Sequence, residues 1–139
     1  MCLNLGLHAK EEVEQLKNLK GKFIAYKLLE VDFNGKLISP FQPETKWTKG
    51  KTKVSNRTTS ELTNHEIDDL AVFQGLHFYR TREDARKAIR GWNFYTQIWK
   101  VEIDPKDIVA IGYCFVPAWS SNKITSIVTH KAKLLERVR

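Results

Sequence analysis

Cysteine is nearly missing from this chain of 139 residues. The two present, Cys2 and Cys114, are far apart and neither belongs to a CxxC pair, so a disulfide framework and the zinc-ribbon and zinc-finger spacings are excluded. Long apolar runs are absent too, and nothing reaches the length needed to span a bilayer. The first residues lack the basic start and unbroken apolar stretch of a secretory signal, because Asn4, His8 and Lys10 interrupt them. Internal repeats and low-complexity tracts are also missing. These absences lead to the expectation of one cytoplasmic domain over 1–139, with no membrane partner.

What is present is a globular composition, 42% hydrophobic and 28% charged, with an excess of cations. Lys and Arg number 23 against 16 Asp and Glu, a net charge of +7. That balance suits an acidic partner, either nucleic acid or an acidic protein surface such as a host complex, and suits a solubilising surface equally well.

The most informative stretch runs from Gly75 to Trp92. Leu76-His77-Phe78-Tyr79 fits a pleated strand. Thr81 then stands as an N-cap with Asp84 three residues on, a variant of the capping box. Ala85, Ala88, Ile89 and Trp92 follow at helical spacing, and Gly91 can stop the helix. A strand, a tight turn and a helix at about 82–90 pressed on a sheet are expected.

Elsewhere, residues 9–20 carry Val13, Leu16 and Leu19 on one side and charges on the other, with Glu11, Glu12 and Glu14 early and Lys17 and Lys20 late, the order a helix dipole favours. This makes 1–21 an N-terminal helical segment ahead of a sheet core over 22–138. Asn34-Gly35 between apolar flanks predicts a hairpin, and the prolines at 40 and 43 should take Ser39–Pro43 out of the ladder. Lys46, Lys49, Lys51 and Lys53 surround Trp47 and precede Arg57, a pattern read as an edge strand guarded by lysines, with phosphate tracking and base stacking as the alternative. A loop with one helical turn at 66–70 is expected over 58–72. Strands are expected at 96–104, 108–115 and 126–136, and a loop at 117–122. The fold class is therefore α+β: a mostly antiparallel twisted sheet of roughly five to seven strands with two short helices packed on it.

The succession Met1-Cys2, Tyr26-Lys27, Asn34-Gly35, Ser39-Pro40-Phe41, Gly75-Leu76-His77-Phe78 and Lys131-Ala132-Lys133-Leu134 resembles a group of small uncharacterised proteins of phages and bacterial mobile elements. That resemblance implies an accessory protein acting in a bacterial cell, against a host system, and carries over no catalytic residue. A second likeness is to the ADP-ribosyltransferase fold, which places an Arg or His on an early strand, a Ser or Tyr on a strand leading into a helix, and a Glu near the last strands. Tyr26, His77 or Tyr79, and Glu102 stand in that order here, and Thr58-Thr59-Ser60 is similar to the Ser-Thr-Ser element. This likeness implies NAD as the ligand, although Tyr26-Lys27 departs from the Arg or His pattern.

Two classes of function follow. The leading one is a non-enzymatic binding or inhibitory module with no cofactor and no metal, using Lys46, Lys49, Lys51, Lys53, Arg57, Arg80 and Arg82 for attraction and Trp47 as anchor. The alternative is a nucleotide pocket around Tyr26, His77, Tyr79 and Glu102. His77 reads more readily as a hydrogen-bonded strand histidine than as a ligand. His8, His65 and His130 are scattered, and no spacing joins them to Cys114 in a metal site. Cys2 reads as a small apolar residue rather than an N-terminal nucleophile, and Glu83-Asp84 as helix-start charges rather than an acid-base pair.

Overall fold

The structure, a computed structural model, describes residues 3–6, 9–40, 42–57, 61–72, 74–89, 96–115 and 123–138. In chain order its elements are β1 (Leu3–Asn4), α1 (Ala9–Lys17), β2 (Phe23–Val31), β3 (Leu37–Ser39), β4 (Gln42–Trp47) and β5 (Thr52–Val54). There follow α2 (Asn64–Asp69), β6 (Ala71–Val72), β7 (Leu76–Tyr79), α3 (Arg82–Ile89), β8 (Gln97–Ile103), β9 (Ile108–Phe115), β10 (Lys123–Thr129) and β11 (Lys131–Val138). The fold is α+β. Its strands form one antiparallel sheet in the order β5-β11-β8-β2-β7-β10-β9-β1-β6, with β3 joined to β2 and β4 to β3.

The eleven strands among the described residues exceed the number expected, because β1, β3, β5 and β6 span two or three residues, too few for an alternation to be read. The expected strand at 126–136 is two strands. The register shifts after Val128, and His130 separates β10, which pairs with β7 and β9, from β11, which pairs with β5 and β8. Helix α2 starts two residues before the expected turn because Thr63 and Glu66 complete a reciprocal capping box. Helix α1 stops at Lys17, where Leu19 N–H turns back to Leu16 C=O at 3.1 Å and leaves Leu19 52% exposed. Pro43 does lie in a strand, contrary to expectation. Among the described residues β4 pairs only with β3, so its other edge needs no amide donor.

The segment after Gly75 follows its sequence signals. Gly75 sits at φ +127, and a Cβ there would press on Val128 Cγ1. Thr81 Oγ1 accepts from Asp84 N–H at 3.1 Å and donates to Asp84 Oδ2 at 2.8 Å. Ala85 and Ala88 are fully buried on α3, and their small size lets the helix lie close over β2 and β8. The hairpin also forms: Asp32 Oδ1 accepts from the amides of Asn34 and Lys36 at 2.9 and 2.8 Å, and Gly35 takes φ +77.

Strand alternation divides the core between two faces. Ala25, Leu29, Phe78, Val101, Ile103 and Leu134 meet α1 and Trp47 on one side. Leu28, Tyr79, Ile98, Cys114 and Ile124 meet α3 on the other. The strands Gln97–Ile103 and Ile108–Phe115 bury most of their apolar side chains, the feature that makes them readable in sequence, whereas β2 buries Ala25, Leu28 and Leu29 and leaves Ile24 and Val31 exposed. Gly91, Trp92, the loop at 117–122 with Trp119, Cys2, His8, Phe41 and Thr58-Thr59-Ser60 lie outside the described residues.

Candidate partner-binding site

The cations named from sequence fall into separate groups. Beyond β4 the chain turns through residues 48–51, closed by Lys51 N–H to Thr48 C=O at 3.1 Å and pinned by Gly50 N–H to Leu134 C=O at 2.8 Å. It then becomes β5, the terminal strand of the sheet. Lys46, Lys49 and Lys51 are exposed here and Lys53 is half-buried. Strand β5 lies against β11 with Lys131 opposite Val54, Ala132 opposite Lys53 and Lys133 opposite Thr52. Opposed residues share a face, so Lys131 and Lys133, both exposed, flank Thr52 and Val54. None of Lys46, Lys49, Lys51, Lys53, Lys131 and Lys133 takes part in an ion pair between described residues.

Lys131 and Lys133 were not among the sequence candidates. Their signal was the alternation of KAKL, in which Ala132 and Leu134 are buried and the lysines face outward. Both line a cavity of about 220 Å³ together with Lys22, Thr52, Glu102 and Asp104. Two of the three acids there are already engaged, Lys22 standing 3.4 Å from Glu102 and Lys106 3.8 Å from Asp104, while Asp107 has no ion-pair partner among the described residues. The rim therefore keeps a net positive charge, four lysines facing three carboxylates.

Two expected contact residues are buried. Trp47 is 4% exposed and packs edge-on against Phe78 with ring centroids 6.0 Å apart. Register explains why: Lys46 opposes Ile38 and Trp47 opposes Leu37, so alternation that sends the lysine out sends the indole in. Arg57 is 5% exposed. Its guanidinium donates to both Glu66 carboxylate oxygens at 2.7 and 2.6 Å, to Glu61 C=O at 2.8 Å and to Gln74 C=O at 3.2 Å. These contacts hold the Glu66 carboxyl below its ordinary value, through the Arg57 hydrogen bonds first. Arg57 is thus an internal tie and Trp47 a core residue, and neither offers a contact surface.

Arg80 and Arg82 belong elsewhere. Arg80 is exposed beside a cavity of about 590 Å³ between α1 and β9, lined also by Glu12, Gln15, Leu16, Leu19 and Tyr113. Arg82 is half-buried in the first turn of α3. Three strands stand between β11 and β10, whose Thr125 C=O receives the Arg80 amide, so Arg80 is not part of the lysine edge.

The residues of the nucleotide alternative share a face without sharing an open pocket. Tyr26 pairs with Tyr79, His77 lies two residues before Tyr79, and Glu102 opposes Ile24, so period-two alternation puts all four on the α3 side. Yet His77 is 4% and Tyr79 2% exposed, and burial pushes the Tyr79 hydroxyl well above its ordinary pKa. Tyr26 is half-buried against the cluster that holds Tyr79, Ala85 and Ala88. Glu102 lines the smaller cavity, and neither described cavity includes Tyr26, His77 or Tyr79. Cys114 shares a hydrogen bond with Ser126 Oγ at 3.1 Å, burial raises its thiol pKa, and His130 Nδ1 meets Ser55 Oγ at 3.3 Å. Among the described residues no group of three His, Cys, Asp or Glu is placed to hold a metal, and no helix is long and apolar enough to cross a membrane.

Sequence reasoning passed over Lys27. Strands β2 and β7 are matched at the single pair Tyr26–Tyr79, and beside it Lys27 Nζ donates to His77 C=O at 2.9 Å. The ammonium sits 5.5 Å from the Phe78 ring centre and 5.9 Å from that of Trp47. Burial lowers its pKa to about 8. A side chain here carries part of the bonding that a longer ladder would supply.

Compared with known protein families, with curated proteins and with solved structures, the chain has no significant match in any of the three.

Proposed function

We propose that this protein is a non-enzymatic binding module, of the accessory kind implied by its likeness to phage and mobile-element proteins, and that its β5–β11 edge engages an acidic macromolecule. One observation carries the reading: six lysines on β4, the following turn, β5 and β11 lack an ion-pair partner among the described residues. Cations gathered on one edge produce a local field that speeds encounter with an anion and that salt weakens. The expected test variant carries Lys49→Glu, Lys51→Glu, Lys131→Glu and Lys133→Glu. Exposed pairs contribute about 0.2–1 kcal/mol each, so over four positions affinity for single-stranded DNA or polyglutamate should fall between about fourfold and about a thousandfold, with a flatter salt dependence. Equal affinity and an equal salt slope would remove the proposal.

A second reading, a nucleotide-binding transferase, is favoured by the shared face of Tyr26, His77, Tyr79 and Glu102. It expects heat in a calorimetric titration with NAD, retained by Glu102→Gln while turnover disappears. Absence of heat with the native protein ends it.

A further inference from the structure

We infer that the free edge of β5 takes up an extended acidic peptide as an added strand, an inference that rests on the lysine edge being the contact surface. The backbone supplies the first argument. Leu134 N–H bonds to Lys51 C=O and Ser55 N–H to His130 C=O, so Lys51 C=O, the polar groups of Lys53 and Ser55 N–H turn toward β11. By alternation Thr52 and Val54 turn theirs away. Strand β5 is paired only with β11 among the described residues. Two N–H and two C=O groups therefore face outward on exposed residues, Val54 being 51% exposed.

Charge selects what can use that edge. Lysines on an edge strand discourage pairing with another copy of the same chain, which here carries +7. The same lysines attract a strand of opposite charge. In an antiparallel addition, a residue opposite Lys51 or Lys53 points to their face and should be a carboxylate. One opposite Val54 points to the other face and should be β-branched or apolar. An alternating acidic and β-branched sequence matches its carboxylates to Lys51 and Lys53, while Lys131 and Lys133, on the face of Val54 and Thr52 one strand further in, contribute only to the general field of the edge. Single-stranded nucleic acid fits less well, because base stacking needs an exposed ring. Trp47 is buried, and the exposed Phe33 belongs to the turn between β2 and β3.

The test uses the full chain with a nine-residue blocked peptide alternating Glu and Val, a peptide of the same composition ordered in Glu-Glu-Val-Val blocks, polyglutamate and single-stranded DNA. Val54→Pro removes one outward donor without removing a bond to β11, since the Val54 amide faces away from that strand. The alternating peptide should bind at least tenfold tighter than the block peptide and the DNA. Val54→Pro should weaken it at least tenfold while changing polyglutamate binding less than twofold. In the native protein, amide exchange at Thr52 and Val54 should slow on adding the alternating peptide, a readout that does not depend on the proline variant folding. Equal binding of the two peptides, unslowed exchange at Thr52 and Val54, or tighter binding of DNA overturns strand addition and leaves the electrostatic reading standing. Affinities for every probe left unchanged by reversing Lys51 and Lys133 overturn both.

Discussion

Arg57→Ala is expected to lower the unfolding free energy by about 3–5 kcal/mol, the cost of breaking a buried ion pair by removing one partner. The estimate follows from what the guanidinium holds. It bonds Glu66 through two oxygens and also satisfies the carbonyls of Glu61 and Gln74, tying the exit of β5 to α2 and to the start of β7. Removing it strips those acceptors at once and should lower Tm by on the order of 10–20 °C. The pH dependence has a definite sign. Glu66 has a lowered pKa in the folded state, so its contribution is complete above the unfolded carboxylate pKa and is lost as pH falls through the folded value. Glu66→Gln should therefore destabilise at neutral pH and flatten the acid limb of the stability curve. Denaturant titrations of the three proteins between pH 3 and 7 check this, and an Arg57→Ala loss below about 1 kcal/mol, the scale of an exposed pair, would contradict it. Loss of this tie should also fray the lysine edge, because Arg57 anchors the chain two residues beyond Ser55.

The second large effect concerns Lys27. A buried ammonium with its pKa lowered from 10.5 to about 8 binds its proton less tightly in the folded than in the unfolded chain. The resulting penalty, on the order of 3 kcal/mol, is fully present below pH 8 and is relieved as pH rises from 8 to 10.5. Lys27→Met keeps the unbranched stem and removes the charge, at the cost of the bond to His77 C=O. It should match or exceed the native protein in stability at pH 7 and fall progressively behind it above pH 8. Lys27→Ala should be about 2–5 kcal/mol less stable than Lys27→Met at pH 7, through the cavity it leaves. Tyr79 and Cys114, both raised by burial, take stability from the fold as pH rises above their unfolded values, an effect that overlaps the Lys27 window. They are common to native protein and variant, so the difference curve isolates Lys27. A difference independent of pH between 7 and 10 would show that the ammonium is not held as described.

How much was legible depended on whether the deciding partner lay nearby in the chain. Thr81 and Asp84 sit three residues apart, and Ala85, Ala88 and Ile89 mark one helix face, so the element after Gly75 could be read directly. Asn34-Gly35 likewise announced its hairpin. Trp47 was misread because its neighbours are lysines, whereas its burial is decided by Phe78, 31 positions later, and by the register of β4 on β3. Arg57 was misread as surface charge because its partner Glu66 reaches it from a different element. Lys27 interrupts an apolar run at the same spacing as Ala25 and Leu29, a sign of a buried cation, but the carbonyl it serves belongs to His77. Lys131 and Lys133 carried a readable alternation within the expected strand at 126–136, but their place beside the β5 lysines depends on the pairing of β11 with a strand far earlier in the chain.

The central claim is that the contact surface is the lysine edge of β5 and β11, and amide chemical-shift mapping of the labelled protein during titration with polyglutamate tests it most directly. Shifts should concentrate at residues 49–54 and 131–133, fade as salt is raised, and leave Arg80, Gln15 and Tyr113 at the other cavity unmoved. Shifts centred on that cavity, or none at the edge under low salt, would contradict the account.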